Sequence, residues 1–417
     1  MDFIKNNKKI FSIIILSLIL YVRCDHGVTM PYAIKLNVAV DFIGIVYCLF
    51  LTIQDFARTK KSIFNIAILW LVIFQAILFV YGHFCLFDGY QDFYSRQYTL
   101  LTVVPALICY EILWHNSDQI IEILSTVGVI VIIATYITTM KYDHLWGDAL
   151  EGRFYRLGRV PGGSDIDTGN LYLLMSIPIL YSTIVAKKLK QYMAFAILGG
   201  VGIVLTGSKS SALPLILVIG IMLLGTAKNA KDVRKYLACL IGLCVVGAVL
   251  LLTVPILYRT LGYRIAEVFT AFSDTSEFDL HTSTGQRLAV MDAFKKHFWE
   301  APIFGHGFYS FITMPYSKLE EYHLESGEIA YRNIQTHMNY LELLFSMGIL
   351  GFVAYYWYPV KLVVDTVKSH SKEVKLICLS FLVSLLFMDL GLDMYYKYMT
   401  PYFTYLLIYT LIKREEQ

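Results

Sequence analysis

Residues 336–351 read THMNYLELLFSMGILG, a membrane-like helix that opens on His337 and carries Glu342 close behind. With about 100° per residue, His337, Tyr340, Leu341, Leu344, Gly348 and Gly351 share one helical face. The two glycines on that face let a neighbouring helix approach closely. A helix N-terminus favours neutral imidazole, the form a general base requires. A lone histidine at a helix head also serves as a structural residue, and the residues alone leave both roles open. Asn339 and Glu342 point away from the histidine on this wheel.

Three basic segments accompany it. In GRFYRLGRVPGGSDIDTGN, residues 152–170, Arg153, Arg156 and Arg159 precede Pro-Gly-Gly and a helix starting near Thr168–Asn170. Guanidinium forks match phosphate oxygens, and glycines let backbone N–H groups approach an anion. Lipid headgroups would satisfy the same arginines. Asp165-Ile166-Asp167 forms a D-x-D, but aspartates here are ordinary helix caps, and no metal is assigned to them. In LTGSKSSALPL, residues 205–215, hydroxyls surround Lys209 at a helix junction, suiting either an anion or a polar turn with a snorkelling lysine. In 283–311, Arg287 sits on the first turn of a helix that ends in Pro302…Gly305-His306-Gly307, a pattern that a chain reversal explains by itself.

The elements that must position these residues are membrane helices. The 417-residue chain is 57% hydrophobic and 16% charged, against about 25% charged for a soluble domain. Its net charge of +3 gives no sign of a nucleic-acid partner. Twelve apolar stretches fall at 10–22, 36–53, 63–84, 98–114, 120–140, 170–186, 191–206, 211–226, 236–257, 338–360, 376–390 and 401–412. A crossing takes about 20 residues. Lysine and arginine crowd into the short connections on one side: 5–9, 58–61, 187–190, 228–235, 361–375 and 413–414. The positive-inside rule makes that side cytoplasmic, with both termini. The first stretch lacks a cleavage pattern and reads as an uncleaved membrane helix.

Three parts follow: membrane helices 1–9 over 1–257, with a basic outer loop at 141–169; a large outer region, 258–336; and helices 10–12 over 337–417. Within the outer region, 284–299 reads as an amphipathic helix with Leu288, Met291, Phe294 and Phe298 on its apolar face. The seven cysteines are scattered, odd in number and without C-x-x-C, so each reads as a small hydrophobe.

Together these motifs resemble the O-antigen polymerase (Wzy-type) and O-antigen ligase superfamily of bacterial envelope enzymes. The likeness rests on the arginine loop 153–170 and on Thr206-Gly207-Ser208-Lys209-Ser210, where lysine replaces the family's arginine. It rests also on Thr284-Gly285-Gln286-Arg287-Leu288…Pro302-Ile303-Phe304-Gly305-His306-Gly307-Phe308, and on His337-Met338 followed after nine residues by Gly348-Ile349-Leu350-Gly351. Met338 stands where the family prefers a polar residue. The resemblance covers roughly 150–355 and the twelve-span layout, an all-α, GT-C-like membrane fold.

The resemblance implies glycosyl transfer at the outer face of the bacterial cytoplasmic membrane, from a saccharide on undecaprenyl diphosphate. It implies His337 as general base and Arg287 as a second catalytic residue. Arg153, Arg156, Arg159 and Lys209 would bind the diphosphate, with Asn339 and Tyr340 as further substrate contacts. Histidine, with an unperturbed pKa near 6.5, suits that task around neutrality. The diphosphate is its own leaving group, so no cofactor or metal is expected. Expected partners are the lipid-linked oligosaccharide and membrane lipids, with a chain-length regulator and a flippase. Polymerisation of repeat units into O-antigen or capsule is the favoured reaction, ligation to another acceptor the second. A transporter of lipid-linked glycans is a reading of another class, disfavoured by the large outer region, since a transporter's site lies near the midplane.

Overall fold

The computed structural model describes residues 2–25, 31–84, 102–140, 156, 165–266, 280, 283–323 and 329–415. The described residues of each of the twelve apolar stretches lie largely in helices. The first half provides α1 (Asp2–Asp25), α2 (Pro31–Gln54), α3 (Phe56–Ile63), α4 (Ile66–Phe84), α5 (Val104–His115) and α6 (Ile120–Met140). Next come α7 (Asp165–Leu180, continued as a π turn to Val185), α8 (Leu189–Thr206), α9 (Lys209–Thr226) and α10 (Ala230–Thr253). The outer region supplies α11 (Ser283–His297), and the chain ends with α12 (Asn339–Lys368), α13 (Lys372–Met388) and α14 (Thr400–Glu415). Among the described residues, seven helices qualify as membrane spans by length and apolarity, or eight if the bent pair α3–α4 is one span. This is a multi-pass helical membrane protein.

Burial differs sharply along the chain. The span from Ile166 to Val185 is 89% buried, whereas α10 is 0% buried and offers its valines and leucines to lipid. α7 is thus the centre of its half, packed against α6, α8 and α9. The other half is organised by aromatic rings: Trp70 of α4 stacks on Tyr358 of α12 at 4.8 Å and donates its indole N–H to the carbonyls of Ala354 and Tyr355, both at 3.2 Å. Rings of this size bury much apolar area while their polar tips find partners.

Two features depart from the expectations. α11 ends at His297 in a 3-10 turn, and its lysines 295 and 296 are exposed as anticipated, but its buried face is Gly285, Ala289, Val290 and Ala293. Leu288, Met291, Phe294 and Phe298 are only partly covered. Small residues let the helix lie close to its support, where Val290 joins Phe311, Ile334 and Phe345 in a separate apolar cluster. The outer region also holds an antiparallel hairpin, β1 (Lys318–His323) and β2 (Ile329–Asn333), which an all-α reading does not include.

Opposite ends of the bundle carry different chemistry. At one end Lys8 reaches the carbonyl of His115 (3.0 Å), Lys9 pairs with Glu122 (2.7 Å) and Arg58 donates to Ser117 (2.7 Å). A cavity of about 420 Å³ opens at this end between Asp118, Lys188, Glu373 and Arg414, and no motif residue lines it. The motif residues gather at the other end.

Candidate active site

The junction between α8 and α9 is a tight reversal. Gly207 closes α8 in the left-handed conformation (φ 62°), and a Cβ there would lie 2.4 Å from the Thr260 carbonyl oxygen, so only glycine fits. The carbonyls freed at the end of α8 are taken by guanidinium groups. Arg156 donates from Nε to Thr206 (2.9 Å) and from Nη2 to Gly207 (3.4 Å), and Arg264 donates to Gly207 (3.1 Å). The Arg156 contacts therefore brace the junction, a role the phosphate reading did not include. Arg264 had no motif to mark it.

The head of α7 packs onto the same junction. Asn170 accepts a hydrogen bond from Ser211 (2.7 Å), and Ser208 bonds both Ser210 and Ser211 (3.0 Å each). From the first residue of α9, Lys209 extends to Thr284 Oγ1 (3.2 Å) at the start of α11. One turn on, Arg287 lines a cavity of about 80 Å³ whose other walls are Ile166, Gln286, Val290, Ile334, Gln335, Thr336 and His337. The structure thus brings Arg287 and His337 to one cavity, with the start of α7 as a third wall. Arg153 and Arg159 lie outside the described residues, as does the side chain of Asp165.

His337 is not on the helical face that its spacing implied. α12 begins at Asn339, with Met338 as its N-cap in extended conformation (φ −145°, ψ 105°). His337 lies before the cap with φ 51°, a left-handed backbone that a non-glycine residue rarely adopts. Such geometry persists only where surrounding contacts enforce it, and it concentrates at functional sites. Four hydrogen bonds enforce it here. Thr336 donates its hydroxyl to Asp393 Oδ1 (2.7 Å) and Met338 its N–H to the same oxygen (3.0 Å). Asn339 donates its N–H to the Asp389 carbonyl (2.8 Å) and accepts the Tyr395 N–H on its side chain (2.9 Å).

Asn339 and Tyr340, the other substrate candidates on this segment, turn into the bundle. Asn339 is fully buried and donates to the Tyr356 hydroxyl (3.0 Å); Tyr340 stacks on Tyr356 and donates to the Leu386 carbonyl (3.0 Å). Asn339 thus ties the head of α12 to the 389–395 segment, and Tyr340 ties it to the end of α13.

Gly348 does not merely admit a neighbouring helix; it breaks α12. Its φ of 63° and ψ of −166° interrupt the helical ladder, and the loop 302–307 fills the gap. His306 and Gly307 donate their N–H groups to the carbonyls of Phe345 and Ser346 (2.9 Å each). Ile349 and Leu350 donate theirs to Pro302 (2.9 Å) and Ile303 (3.1 Å). Irregular backbone at a membrane boundary is tolerated only when its polar groups are satisfied in this way. The Pro302–Gly307 and Gly348–Gly351 motifs are therefore two halves of one structure. His306 belongs to that structure: its ring stacks on Phe345 (4.1 Å) and its Nε2 lies 3.6 Å from Glu300. The hydrogen bond from His297 holds the exposed Glu300 carboxyl below its usual range, and burial pushes the Tyr316 phenol, stacked on His297, up to about 12.

Residues 194–356 match the family model described as O-antigen ligase. The matched stretch contains Lys209, Arg287, His337 and the interlocked glycine motifs, and leaves out the 153–159 arginines. Over that stretch the chain is similar to the O-antigen ligase family, in line with the resemblance of its motifs to the O-antigen polymerase and ligase superfamily. No curated protein matches the chain. The family brings with it a glycosyltransferase-like activity, a lipid-linked oligosaccharide substrate and the membrane setting of polysaccharide biosynthesis. Within the matched stretch the junction, α11 and the head of α12 border one small cavity or its supports.

Proposed function

We propose that this protein polymerises undecaprenyl-diphosphate-linked oligosaccharide repeat units at the outer face of the bacterial cytoplasmic membrane, with twelve crossings and both termini cytoplasmic. The observation that carries the reading is the cavity shared by Arg287 and His337. His337 takes the proton from the acceptor hydroxyl as its oxygen attacks the anomeric carbon of the donor sugar. The bond from that carbon to the diphosphate oxygen breaks, its electron pair leaves with the diphosphate, and the configuration inverts. Arg287 and Lys209 offset the charge that grows on the diphosphate. Arg156 keeps the Lys209 junction in shape, and Arg153 and Arg159 join it on the donor side. Asn339 and Tyr340 serve through the packing of the α12 head. A cavity of about 80 Å³ seats only the reacting ends, so both glycans extend beyond it.

The description of the matching family favours a second reading, transfer of the glycan to a different acceptor. Donor, base and cationic residues are the same in both. Incubating purified protein with lipid-linked repeat units and resolving product lengths separates them. A ladder of lengths supports polymerisation, a single transfer to an added acceptor supports ligation, and no product with intact donor supports transport.

A further inference from the structure

We infer that Asp393 is a positioning residue that sets the proton-accepting geometry of His337; this rests on the general-base reading above. Asp393 is 3% exposed and sits between α13 and α14, more than fifty positions along the chain from His337. Its Oδ1 collects the hydroxyl of Thr336 and the N–H of Met338, the two residues that flank the histidine. One oxygen thus grips the chain on both sides of the residue with φ 51°. That grip opposes the extended or right-handed backbone to which a histidine readily relaxes. Relaxation at residue 337 would swing the imidazole away from the wall it shares with Arg287. The 389–395 segment is itself anchored by Asn339, so the clamp is preset before substrate arrives. Asp393 touches backbone and a neighbouring hydroxyl, not the reacting atoms; it acts through His337.

The test compares Asp393→Ala, Asp393→Asn and His337→Ala in the full-length protein, each checked for folding by thermal melting and size exclusion. Asp393→Ala is expected to lower kcat about 100-fold with donor KM within about threefold, since misplacing a catalytic group by an ångström costs that much while the diphosphate contacts remain. Asp393→Asn keeps an oxygen acceptor for both donors and is expected to recover kcat to within about tenfold of wild type. Its acid limb in the pH profile is expected to coincide with that of wild type, because the carboxylate acts on backbone rather than on the ring. A folded Asn variant as slow as the Ala variant, or one with a displaced acid limb, overturns the clamp in favour of a charge effect. Wild-type kcat for Asp393→Ala, with His337→Ala inactive, also overturns it while leaving the base assignment intact. An active His337→Ala variant instead overturns the general-base reading. If Asp393→Ala fails to fold, Thr336→Val removes one of the two gripped groups. It is expected to lose about tenfold in kcat, and wild-type kcat there would overturn the clamp.

Discussion

Two histidines stand at helix ends on opposite sides of the bundle, and they are held in opposite ways. His115 closes α5 in regular geometry, is 2% exposed, and has its Nε2 between Thr59 Oγ1 (2.9 Å) and Glu111 Oε1 (3.0 Å). Its carbonyl accepts from Lys8 and Arg58. His337 precedes its helix, is half-buried, lines a cavity beside an arginine, and is held in a left-handed backbone by groups gripping its neighbours. Hydrogen bonds to the first ring itself make a structural strut. Hydrogen bonds to the residues on either side of the second fix its backbone beside the cavity that it lines. The contrast shows that the position of a histidine at a helix end says little, and that the atoms used to hold it say much more.

This contrast is broken most directly by removing each ring. His337→Ala is expected to lower chain extension by about 100- to 10,000-fold, the range spanned by general-base catalysis, with normal membrane expression; full-length polymer from that variant sinks the assignment. Arg287→Ala is expected to cost about 100-fold in kcat/KM and Arg287→Lys less, because lysine keeps charge without the fork. Initial rates against donor concentration check this: equal losses for the two would mean that charge without the fork contributes nothing, and a wild-type rate for Arg287→Lys would mean that the fork is not used. Gly348→Ala sharpens the structural side. A Cβ there would lie 2.3 Å from the Ile303 carbonyl oxygen in a region of backbone closed to alanine, so a stability loss of about 3 kcal/mol or more is expected in detergent melts. His115→Ala should be mildest for turnover. We expect kcat within about twofold of wild type and a stability loss of about 1–3 kcal/mol from the groups left unpaired. A catalytic defect larger than its folding defect would erase the distinction between the two histidines.

Much of this arrangement was legible in the residues. The apolar stretches marked the described spans, and of the basic candidates Arg287 lines the cavity with His337 while Lys209 reaches Thr284 beside it. Local pattern failed where distant partners decided the outcome. A helical wheel places His337 with Gly348 and Gly351, but a wheel assumes continuous helix, and neither the left-handed residue nor the break at Gly348 has a one-dimensional signature. Histidine gives no hint of positive φ, since the cause lies at Asp393. A signal for Asp389 and Asp393 did exist: acidic residues in MDLGLDMYY, at the edge of an apolar span, are expensive unless they serve a purpose. The face of α11 was misjudged because large apolar residues were weighed above small ones, whereas close packing selected Ala289, Val290 and Ala293. The contacts of Arg156 with two carbonyls had no sign in its residue type either.

The exchange of hydrogen bonds between the 302–307 loop and the gap in α12 also governs how the molecule can be cut and recombined. The donors and acceptors that complete this membrane helix come from two places in the chain, so the helix is whole only when both are present. A chimera joined between residues 308 and 344 would pair one parent's loop with the other's gap, leaving four backbone hydrogen bonds to chance at the edge of the bilayer. Residues 302–351 are therefore the smallest block that carries both halves of this exchange, and a block that also keeps the grip on either side of His337 must extend through Asp393.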